Sequence, residues 1–546
     1  MIKHITFLLI CFFNINSISL SQGDGISIGK NYRIYSSAVN QSEVFIVKHP
    51  ANPDILFSSA NTVLIQPSFF ISEGIYVSTN SGNSWYGSDT CNGANINFHG
   101  GDPSITIDKN GTFILTRKSA TTFPGVYSHY STNNGRNWSS QKTIATDDLE
   151  RASIISDSNP ASNFYGRTYA IWAMLTPPYP IKFTFTDDIT SNWAVPNKLN
   201  NPSFRGAGGD IKLGPNSEVY VCWAGLTSTS PFTEVLVGFA SSTNGGTNWN
   251  VYEKAFDMNG IVGLLTSKQN IRVNGLPRMS VDLSNKSSNG TIYIVTAEKN
   301  LLPAGNDPDI ILRKSTDGGL NWSAGIRVNQ DAFNNGKTQF FPAINVDQYG
   351  GINIIFYDDR NTTNDSSGVF LARSTDGGNN WNEYQISDHN FRPSAIGGLG
   401  QGYIGDNIDI TSSGNKLYPV WMDNSSGNYQ IWTAPIIFPV VSIDDEIIKP
   451  IEFVLEQNYP NPFNPSTKIR YSIPAAVETH RDASLQMVTL KIYDILGSEV
   501  ATLVNEAQAP GYYEIDFNAA QLASGVYIYR LQYDKNVSVK KMIKLN

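Results

Sequence analysis

STDGGNNW, residues 374–381, is one of five closely similar eight-residue segments in this 546-residue chain. The others are STNSGNSW (78–85), STNNGRNW (131–138), STNGGTNW (242–249) and STDGGLNW (315–322). A sixth, TDDITSNW (186–193), keeps the acidic residue and the Trp but has lost the Gly. The third residues of successive segments are 53, 55, 56, 73 and 59 positions apart, and such a period indicates repeated supersecondary units.

The residue types of the segment predict a tight turn between two strands. An Asp or Asn side chain accepts hydrogen bonds from nearby backbone N–H groups, and Gly adopts positive φ without a Cβ clash. The Trp begins the next strand and covers the turn with its ring. We therefore expect a structural role for the third residue and the Trp of each segment: Asn80, Trp85, Asn133, Trp138, Asp188, Trp193, Asn244, Trp249, Asp317, Trp322, Asp376 and Trp381.

These segments resemble the Asp-box (BNR) repeats of sialidase-like and related secreted β-propellers, in which the box usually lies on the face away from the ligand. Two strand-like runs precede each box, a third leads into it and a fourth follows the Trp, as a propeller blade requires. Counting the second runs gives seven units over residues 22–440. The last unit lacks a fourth strand, which an unpaired upstream strand at 26–36 can supply, removing the exposed sheet edges. Seven blades are favoured, and six, the number in sialidases, is the alternative.

Residues 1–21 have the pattern of a secretory signal peptide. Lys3 and His4 precede an apolar run, and small residues occupy the cleavage-site positions before Gln22. A lipoprotein signal is the alternative, because residues 8–11 (LLIC) loosely resemble a lipobox. No later segment has 18 uninterrupted apolar residues, so no transmembrane span is expected. Without the signal, Cys91 and Cys222 are the remaining cysteines, and export leaves a disulfide between them open.

Charge and histidine spacing exclude several classes of partner. The net charge is −8 and no basic run occurs before the last few residues, so we expect no nucleic-acid partner. No Cys/His cluster has zinc spacing. We predict no cofactor, although a structural cation stays possible.

After Pro439 the composition changes. Residues 441–452 form a charged linker, and residues 453–546 contain alternating strands that predict a small Ig-like β-sandwich. The segments NYPNPFNP (458–465), IYDILG (492–497), LASGVY (522–527) and the basic end Lys540-Lys541 closely resemble the type A C-terminal sorting domain of the type IX (Por) secretion system. The resemblance implies that the secretion machinery binds residues 453–546 and that the protein is secreted or held at the outer-membrane surface. An ordinary Ig-like adhesion module is the alternative.

The resemblance to sialidases also supplies weak catalytic candidates. Sialidase catalysis uses three arginines that bind the substrate carboxylate, a Tyr nucleophile activated by Glu, and an acidic residue that serves as acid and base. Arg33 lies in YRIY (32–35), which resembles the family's Phe-Arg-Ile-Pro. Tyr403 follows a Gly before a strand, as in the nucleophile region, and Asp102 is the candidate acid.

Three Gly-Asp pairs place candidate ligand-binding residues at one mouth of the central channel. Asp102, Asp210 and Asp406 each precede the first strand of their unit, and Arg278 stands at the matching point of another. First strands of blades are innermost, so these side chains are predicted to ring the mouth and hold a cation, a sugar or water. The alternative is that each Asp caps its own turn. A further cluster, Asp358-Asp359-Arg360, is interpreted as a salt-bridged loop.

The sequence thus favours an exported sialidase-like β-propeller that binds a glycan or an extracellular protein. An exo-acting glycosidase of the sialidase type is the alternative. That enzyme requires three arginines in one cleft above a Tyr–Glu pair, and divergence of Arg33, Arg278 and Arg360 would weaken it. The tail is expected to fold independently and to contribute nothing to the propeller's site.

Overall fold

The computed structural model describes residues 25–91, 99–119, 124–363, 365–439, 453–474, 486–508 and 511–545. The predicted signal peptide (1–21) and linker (441–452) lie outside these ranges. The chain forms two compact units, Met1–Pro439 and Val440–Asn546.

The described part of the first unit consists of short strands and one 3-10 helix, Thr266–Lys268. Its strands are β1 (Ser27–Ile28), β2 (Tyr32–Arg33), β3 (Asn40–Lys48), β4 (Leu56–Leu64), β5 (Phe70–Ser78), β6 (Tyr86–Ser88), β7 (Ser104–Ile107), β8 (Phe113–Lys118), β9 (Val126–Ser131), β10 (Lys142–Ala145), β11 (Ser153–Ser156), β12 (Thr168–Ala173), β13 (Ile181–Thr186), β14 (Asn197–Lys198), β15 (Arg205–Leu213), β16 (Val219–Leu226), β17 (Glu234–Ser242), β18 (Asn250–Asp257), β19 (Gly263–Leu265), β20 (Ile271–Val273), β21 (Arg278–Val281), β22 (Ile292–Glu298), β23 (Asp309–Ser315), β24 (Ile326–Arg327), β25 (Gln339–Val346), β26 (Ile352–Asp358), β27 (Gly368–Ser374), β28 (Asn382–Gln385), β29 (Asp409–Ser413), β30 (Lys416–Asp423), β31 (Gln430–Thr433) and β32 (Ile436–Ile437).

These strands form a ring of antiparallel sheets. Six sheets each contain four strands side by side in chain order: β3–β6, β7–β10, β11–β14, β15–β18, β21–β24 and β25–β28. A seventh contains β29, β30 and β31, and its edge is completed by β2 from the start of the chain. The first strand of each sheet contacts that of the next, and β29 contacts β3. The first unit is a β-propeller.

The start of the chain closes the ring. Arg33 of β2 pairs with Trp432 of β31, and β1 pairs with β32. This is the pairing that the sequence predicted for the unpaired strand at 26–36. It covers the open edge of the seventh sheet, where free backbone groups would otherwise face solvent.

The second strand of each sheet supplies the largest buried side chains of the core. Seven of them are almost fully buried: Phe57, Phe113, Trp172, Trp223, Tyr293, Tyr357 and Trp421. The rings of Phe57 and Phe113 stack across neighbouring sheets with centroids 4.8 Å apart. Because each buried aromatic ring contributes roughly 1.5–3 kcal/mol, this layer holds adjacent sheets together.

The eight-residue turns join the third and fourth strands, as their sequence predicts. The Asn133 Oδ1 accepts the backbone N–H of Asn137 at 3.0 Å, and the indole of Trp138 donates to the Gly135 carbonyl at 3.0 Å. The turn at 186–193 differs, since the Asp188 Oδ1 accepts the N–H of Thr190, two residues on. Without Gly the longer turn is not closed in the same way, and a shorter Asx turn replaces it.

The long interval of 73 residues contains an extra hairpin. Strands β19 and β20 pair with each other, separated by the 3-10 helix, and lie between β18 and β21. The ammonium of Lys268 binds the carboxylate of Asp359, and both side chains are buried. The backbone N–H of Arg272 donates to the Gly402 carbonyl at 2.8 Å. These contacts fix the hairpin against the loop that follows β26 and against the segment that precedes β29.

The second unit is a sandwich of two sheets. Its strands are β33 (Val454–Leu455), β34 (Ser466–Ile473), β35 (Gln486–Tyr493), β36 (Glu499–Gln508), β37 (Gly511–Asn518), β38 (Gly525–Tyr533) and β39 (Asn536–Lys544). One sheet has the order β33-β34-β37 and the other β36-β35-β38-β39. Ile469 of the first sheet and Leu490 of the second belong to the same buried core. The observed fold is therefore all-β throughout the described residues, apart from one turn of 3-10 helix.

Candidate functional site

A bulge in the innermost strand of the first sheet creates the centre of the candidate site. The pairing of β3 with β4 shifts register between Ser42 and Phe45, and Glu43 has a φ of 53°. Positive φ is strained for a residue with a Cβ, and such strain is concentrated at functional sites. Asp102, just before β7, has the same φ of 53°. Both carboxylates are thus held by backbone that a plain strand would not adopt.

Four side chains form a hydrogen-bonded cluster at this point. The Tyr403 hydroxyl donates to Glu43 Oε1 at 2.6 Å, and the Asn61 amide nitrogen lies 3.1 Å from the same hydroxyl. That amide nitrogen also lies 3.4 Å from Asp102 Oδ1, while Asn61 Oδ1 accepts the Asp102 backbone N–H at 2.6 Å. We call Glu43, Asn61, Asp102 and Tyr403 the mouth cluster. Glu43 and Asn61 are buried, whereas Asp102 and Tyr403 are half-buried and reach solvent.

Burial and like charge change the acidity of the cluster. Burial raises the pKa of Glu43 to about 8, and the negative charges of Asp102 and Asp406 act in the same direction. Burial also raises the pKa of the Tyr403 phenol well above its ordinary value, as does the neighbouring Glu43. At neutral pH Glu43 is therefore largely a neutral acid, which can both donate and accept hydrogen bonds. Groups with such shifted pKa values occur preferentially at functional sites.

Arginines from three parts of the propeller border the cluster. Arg272, on the extra hairpin, binds Asp406 at 2.6 Å and lies 5.1 Å from the centre of the Tyr403 ring. Arg278 donates to the Asn407 side chain at 2.9 Å. Arg151 lies over the ring of Phe45 at 4.5 Å and donates no hydrogen bond to any residue that the structure describes. Arg151 is half-buried and lines the central cavity.

A cavity of about 760 Å³ runs along the axis of the ring. It is lined by the innermost strands of the sheets, and Arg151, Arg278, Asp210 and Asp409 are among its lining residues. Burial and the like charge of Arg278 lower the pKa of Arg151, while the carboxyl groups of Glu43, Asp210 and Asp102 act in the opposite direction.

The structure brings together part of the predicted set. Asp102, Tyr403 and Asp406 lie at one mouth of the ring, in contact with the residues described above. Asp210 lies within β15 and not before it as the sequence predicted, because β15 already begins at Arg205 and shifts register between Ala207 and Asp210. Its carboxylate binds Lys212 at 2.7 Å and accepts the Met279 N–H of the next innermost strand at 2.9 Å. This carboxylate thus joins two strands rather than capping only its own turn.

Two other predicted arginines lie elsewhere. Arg33, on the outermost strand of the seventh sheet, lies over the Trp432 ring at 5.9 Å. Arg360 binds Asp358 and Glu383 after the second strand of the sixth sheet, which is the salt-bridged arrangement expected of that loop. Since Arg33, Arg278 and Arg360 do not meet in one cleft, the arginine set named from the sequence does not form a clamp.

Sequence analysis missed four of the residues at the mouth: Glu43, Asn61, Arg151 and Arg272. Glu43 and Asn61 lie inside strands, where a polar residue usually indicates a solvent-facing position. Arg272 had one available signal, the long interval that contains its hairpin.

Cys91 and Cys222 are both buried and unpaired. Among the residues that the structure describes, no group of three His, Cys, Asp or Glu side chains is placed to hold a metal ion.

Comparison with known families identifies the tail. Residues 457–545 match the model of the secretion system C-terminal sorting domain. The chain is therefore exported by the type IX system to the cell surface or beyond it. Within the described residues, no helix has the length and apolar character needed to cross a membrane.

Solved structures resemble the propeller only distantly, and no curated protein matches the chain. A protein of unknown function from Dyadobacter fermentans is 10% identical, covering 76% of this chain and 100% of its own, with a TM-score of 0.41. An ulvan lyase of polysaccharide lyase family 25 is 12% identical over 73% of this chain and 94% of its own, with a TM-score of 0.48. An α-L-arabinanase of Penicillium chrysogenum is 11% identical, covering 64% of this chain and 98% of its own, with a TM-score of 0.41.

Proposed function

We propose that the exported propeller is a glycan-binding module and that its site is the mouth cluster with Arg151. The main support is the Tyr403–Glu43 hydrogen bond of 2.6 Å, which lies in a partly open mouth near the guanidinium of Arg151, a group without a hydrogen-bond partner among the described residues. Sugar hydroxyls require donors and acceptors in fixed positions, which Tyr403, Asn61 and the neutral Glu43 provide. Arg151 adds a preference for an anionic sugar, because a guanidinium binds a carboxylate through two parallel hydrogen bonds.

Binding can be tested with the full chain on an array of neutral and anionic glycans. Arg151→Gln is expected to weaken binding to anionic sugars by at least about ten-fold, since a charge-assisted pair is lost. Arg136→Gln is a matched control, because Arg136 also lies over an aromatic ring, Tyr86, at 4.7 Å, but within an eight-residue turn. If Arg151→Gln and Arg136→Gln bind like the unmodified protein, or if no glycan binds, the proposed function is wrong.

Glycoside cleavage of the sialidase type is a second candidate, favoured by the Tyr403–Glu43 pair itself. In that reaction Tyr403 would attack the anomeric carbon while its proton passes to the ionised Glu43, and Asp102 would protonate the leaving oxygen. Water would then release the sugar from Tyr403. The raised pKa of Glu43 makes it a stronger base than an ordinary carboxylate, and its ionised form, which this step requires, becomes the main one as the pH rises through about 8.

The arginines support binding more than cleavage. A sialidase clamp needs three guanidiniums free for one carboxylate, whereas Arg272 is bound to Asp406 and Arg278 to Asn407. Only Arg151 of these three donates no hydrogen bond to a described residue. Of these three arginines, a ligand carboxylate would therefore find only Arg151 without a hydrogen bond to another described residue.

A fluorogenic sialoside separates the two candidates. Cleavage by the unmodified protein, lost in Glu43→Gln while binding to the glycan persists, would establish the enzyme. Binding without turnover across pH 5 to 9 would leave the binding module as the function. Tyr403→Phe, which keeps the ring beneath Arg272 but removes the hydroxyl, should abolish turnover in the first case and weaken binding in both.

A further inference from the structure

A second cluster of side chains lies at the same face of the propeller, between the third and fourth sheets. Arg205 begins β15, and its guanidinium carbon lies 5.0 Å from the ring centre of Tyr179 and 5.0 Å from that of Phe232. Phe204, the preceding residue, is 42% exposed, and Phe232 is 37% exposed. We call these four residues the aromatic rim. Exposed aromatic rings that are grouped rather than scattered indicate a binding surface.

The backbone holds this rim in a strained form. Tyr179 has a φ of 60° and Phe232 a φ of 59°, which are genuine outliers for bulky side chains. Each ends a tight turn, since the Tyr179 N–H donates to the Thr176 carbonyl at 2.9 Å and the Phe232 N–H to the Thr229 carbonyl at 2.8 Å. Strain of this kind persists only where the surrounding structure fixes it, and it is typical of ligand-contacting segments.

The side chain of Arg205 has no hydrogen-bond partner among the described residues. Its guanidinium donates no hydrogen bond to any described residue, and its Nε is buried without a partner. A guanidinium between two rings keeps its N–H groups at the edge, where they can bind an anionic group. The aromatic rim therefore combines apolar ring faces with a guanidinium that donates no hydrogen bond within the described part of the chain.

The aromatic rim is connected to the mouth cluster through neighbouring residues. Burial raises the pKa of Glu150, while the Gly208 backbone N–H and the positive charge of Arg205 act in the opposite direction. Glu150 accepts the Gly208 N–H at 2.8 Å and directly precedes Arg151 in the chain. Because Gly208 and Arg205 belong to the same strand, β15, this hydrogen bond joins the strand of Arg205 to the residue that precedes Arg151.

We propose that the aromatic rim is a subsite for the continuing chain of an anionic oligosaccharide, with sugar rings stacked on Phe204 and Phe232 and an acidic group bound by Arg205. This proposal rests on the proposed glycan function and extends it, because it makes the ligand a chain several sugars long rather than a single terminal residue. The charge of Arg205 selects the anionic chain over a neutral one.

Binding of oligosaccharides of different lengths tests the subsite in the full chain. The probes are di- and hexasaccharides of galacturonate, alginate and chondroitin sulfate, with neutral cello-oligosaccharides of the same lengths, measured by calorimetry. An anionic hexasaccharide is expected to bind the unmodified protein about ten-fold or more tightly than its disaccharide. Phe232→Ala and Arg205→Gln should each remove most of that gain, while leaving disaccharide affinity within about two-fold.

A matched control is available on the opposite face. Tyr165 is 40% exposed, and the ammonium of Lys109 lies 4.4 Å above its ring, but it lies between the first and second strands of its sheet. Tyr165→Ala should therefore leave hexasaccharide binding unchanged. Equal unfolding midpoints for all variants would show that affinity differences are not caused by misfolding.

Several results would overturn the proposal. Equal affinity for the di- and hexasaccharide, equal binding of neutral and anionic chains, or normal hexasaccharide binding by Phe232→Ala and Arg205→Gln would each contradict the subsite alone. A change only in self-association of these variants would show a protein interface instead. Failure of the unmodified protein to bind any disaccharide or hexasaccharide would contradict the glycan function as well, as would normal disaccharide binding by Arg151→Gln.

Discussion

Glu43→Gln should stabilise the propeller, and increasingly so as the pH rises. The folded-state pKa of Glu43, about 8, lies above the ordinary value of 4.5, so the folded protein holds this proton more tightly than the unfolded chain. The stability associated with the protonated form is complete below about pH 4.5 and is lost as the pH rises through about 8. A neutral Gln carries no such loss, and its side-chain oxygen can still accept the Tyr403 hydroxyl.

The size of the effect follows from the pKa. One pKa unit corresponds to about 1.4 kcal/mol, and the unfolded chain ionises Glu43 at a lower pH than the folded protein does, so the free energy of unfolding falls, relative to low pH, by about 1 kcal/mol at pH 5, about 3 kcal/mol at pH 7 and approaching 5 kcal/mol at pH 9. We expect the unfolding free energy of Glu43→Gln to exceed that of the unmodified protein, and the difference to grow from pH 5 to pH 7 to pH 9. The variant retains some loss of stability at high pH, because burial also raises the pKa of Glu234 to about 8.

Urea unfolding of the full chain at pH 5, 7 and 9, followed by tryptophan fluorescence, measures the difference. The second unit contains no Trp, so the signal reports the propeller. Glu218→Gln is the control, since Glu218 lies in the turn between β15 and β16 and accepts the Asn216 N–H at 2.8 Å. Parallel pH curves for the unmodified protein and Glu43→Gln would refute the reasoning, because they would require Glu43 to titrate equally in the folded and unfolded chains.

Three further outcomes are expected. Lys268→Met leaves the buried carboxylate of Asp359 without its cation and should lower the unfolding free energy by about 3–5 kcal/mol in the same urea assay. The double change Lys268→Met with Asp359→Asn should recover part of that lost free energy. Trp138→Ala leaves a cavity beside its turn and should lower the free energy of unfolding by about 3–5 kcal/mol. A decrease below about 1 kcal/mol would contradict a stabilising role for this Trp. Cys91 and Cys222 should both react with iodoacetamide after unfolding without reductant, and a protected pair in the mass spectrum would contradict two free thiols.

The sequence predicted the fold because its signals were local. Each second strand is a short apolar run that must be buried, and each eight-residue turn specifies the connection that follows. The strand at 26–36 was assigned to ring closure because the seventh unit lacked a fourth strand, and the pairing of Arg33 with Trp432 agrees. In the tail, the motifs between 458 and 541 fall within the part matched by the sorting-domain model.

The candidate site was only partly predictable, because it depends on geometry that composition does not encode. Asp102 and Asp406 were found from their position before first strands. Glu43 was not, since the bulge that turns its carboxylate toward Tyr403 has no distinct signal within the strand NQSEVFIVK. Arg272 reaches the mouth on a hairpin outside the repeat, where the periodic pattern gives no information about position.

The topology of the sheets explains why the turns and the site do not compete. In a sheet of four antiparallel strands, the first-to-second and third-to-fourth connections lie at one end, and the second-to-third connections and the entry to the first strand lie at the other. The eight-residue turns belong to the first end, whereas Asp102 and Tyr403 precede first strands at the second end. The seventh unit has no such turn, yet the segment before its first strand supplies Tyr403 and Asp406. Loss of a turn therefore weakens the connection between two strands without removing a side chain from the site. Substitutions at the mouth, in turn, leave the eight-residue turns intact.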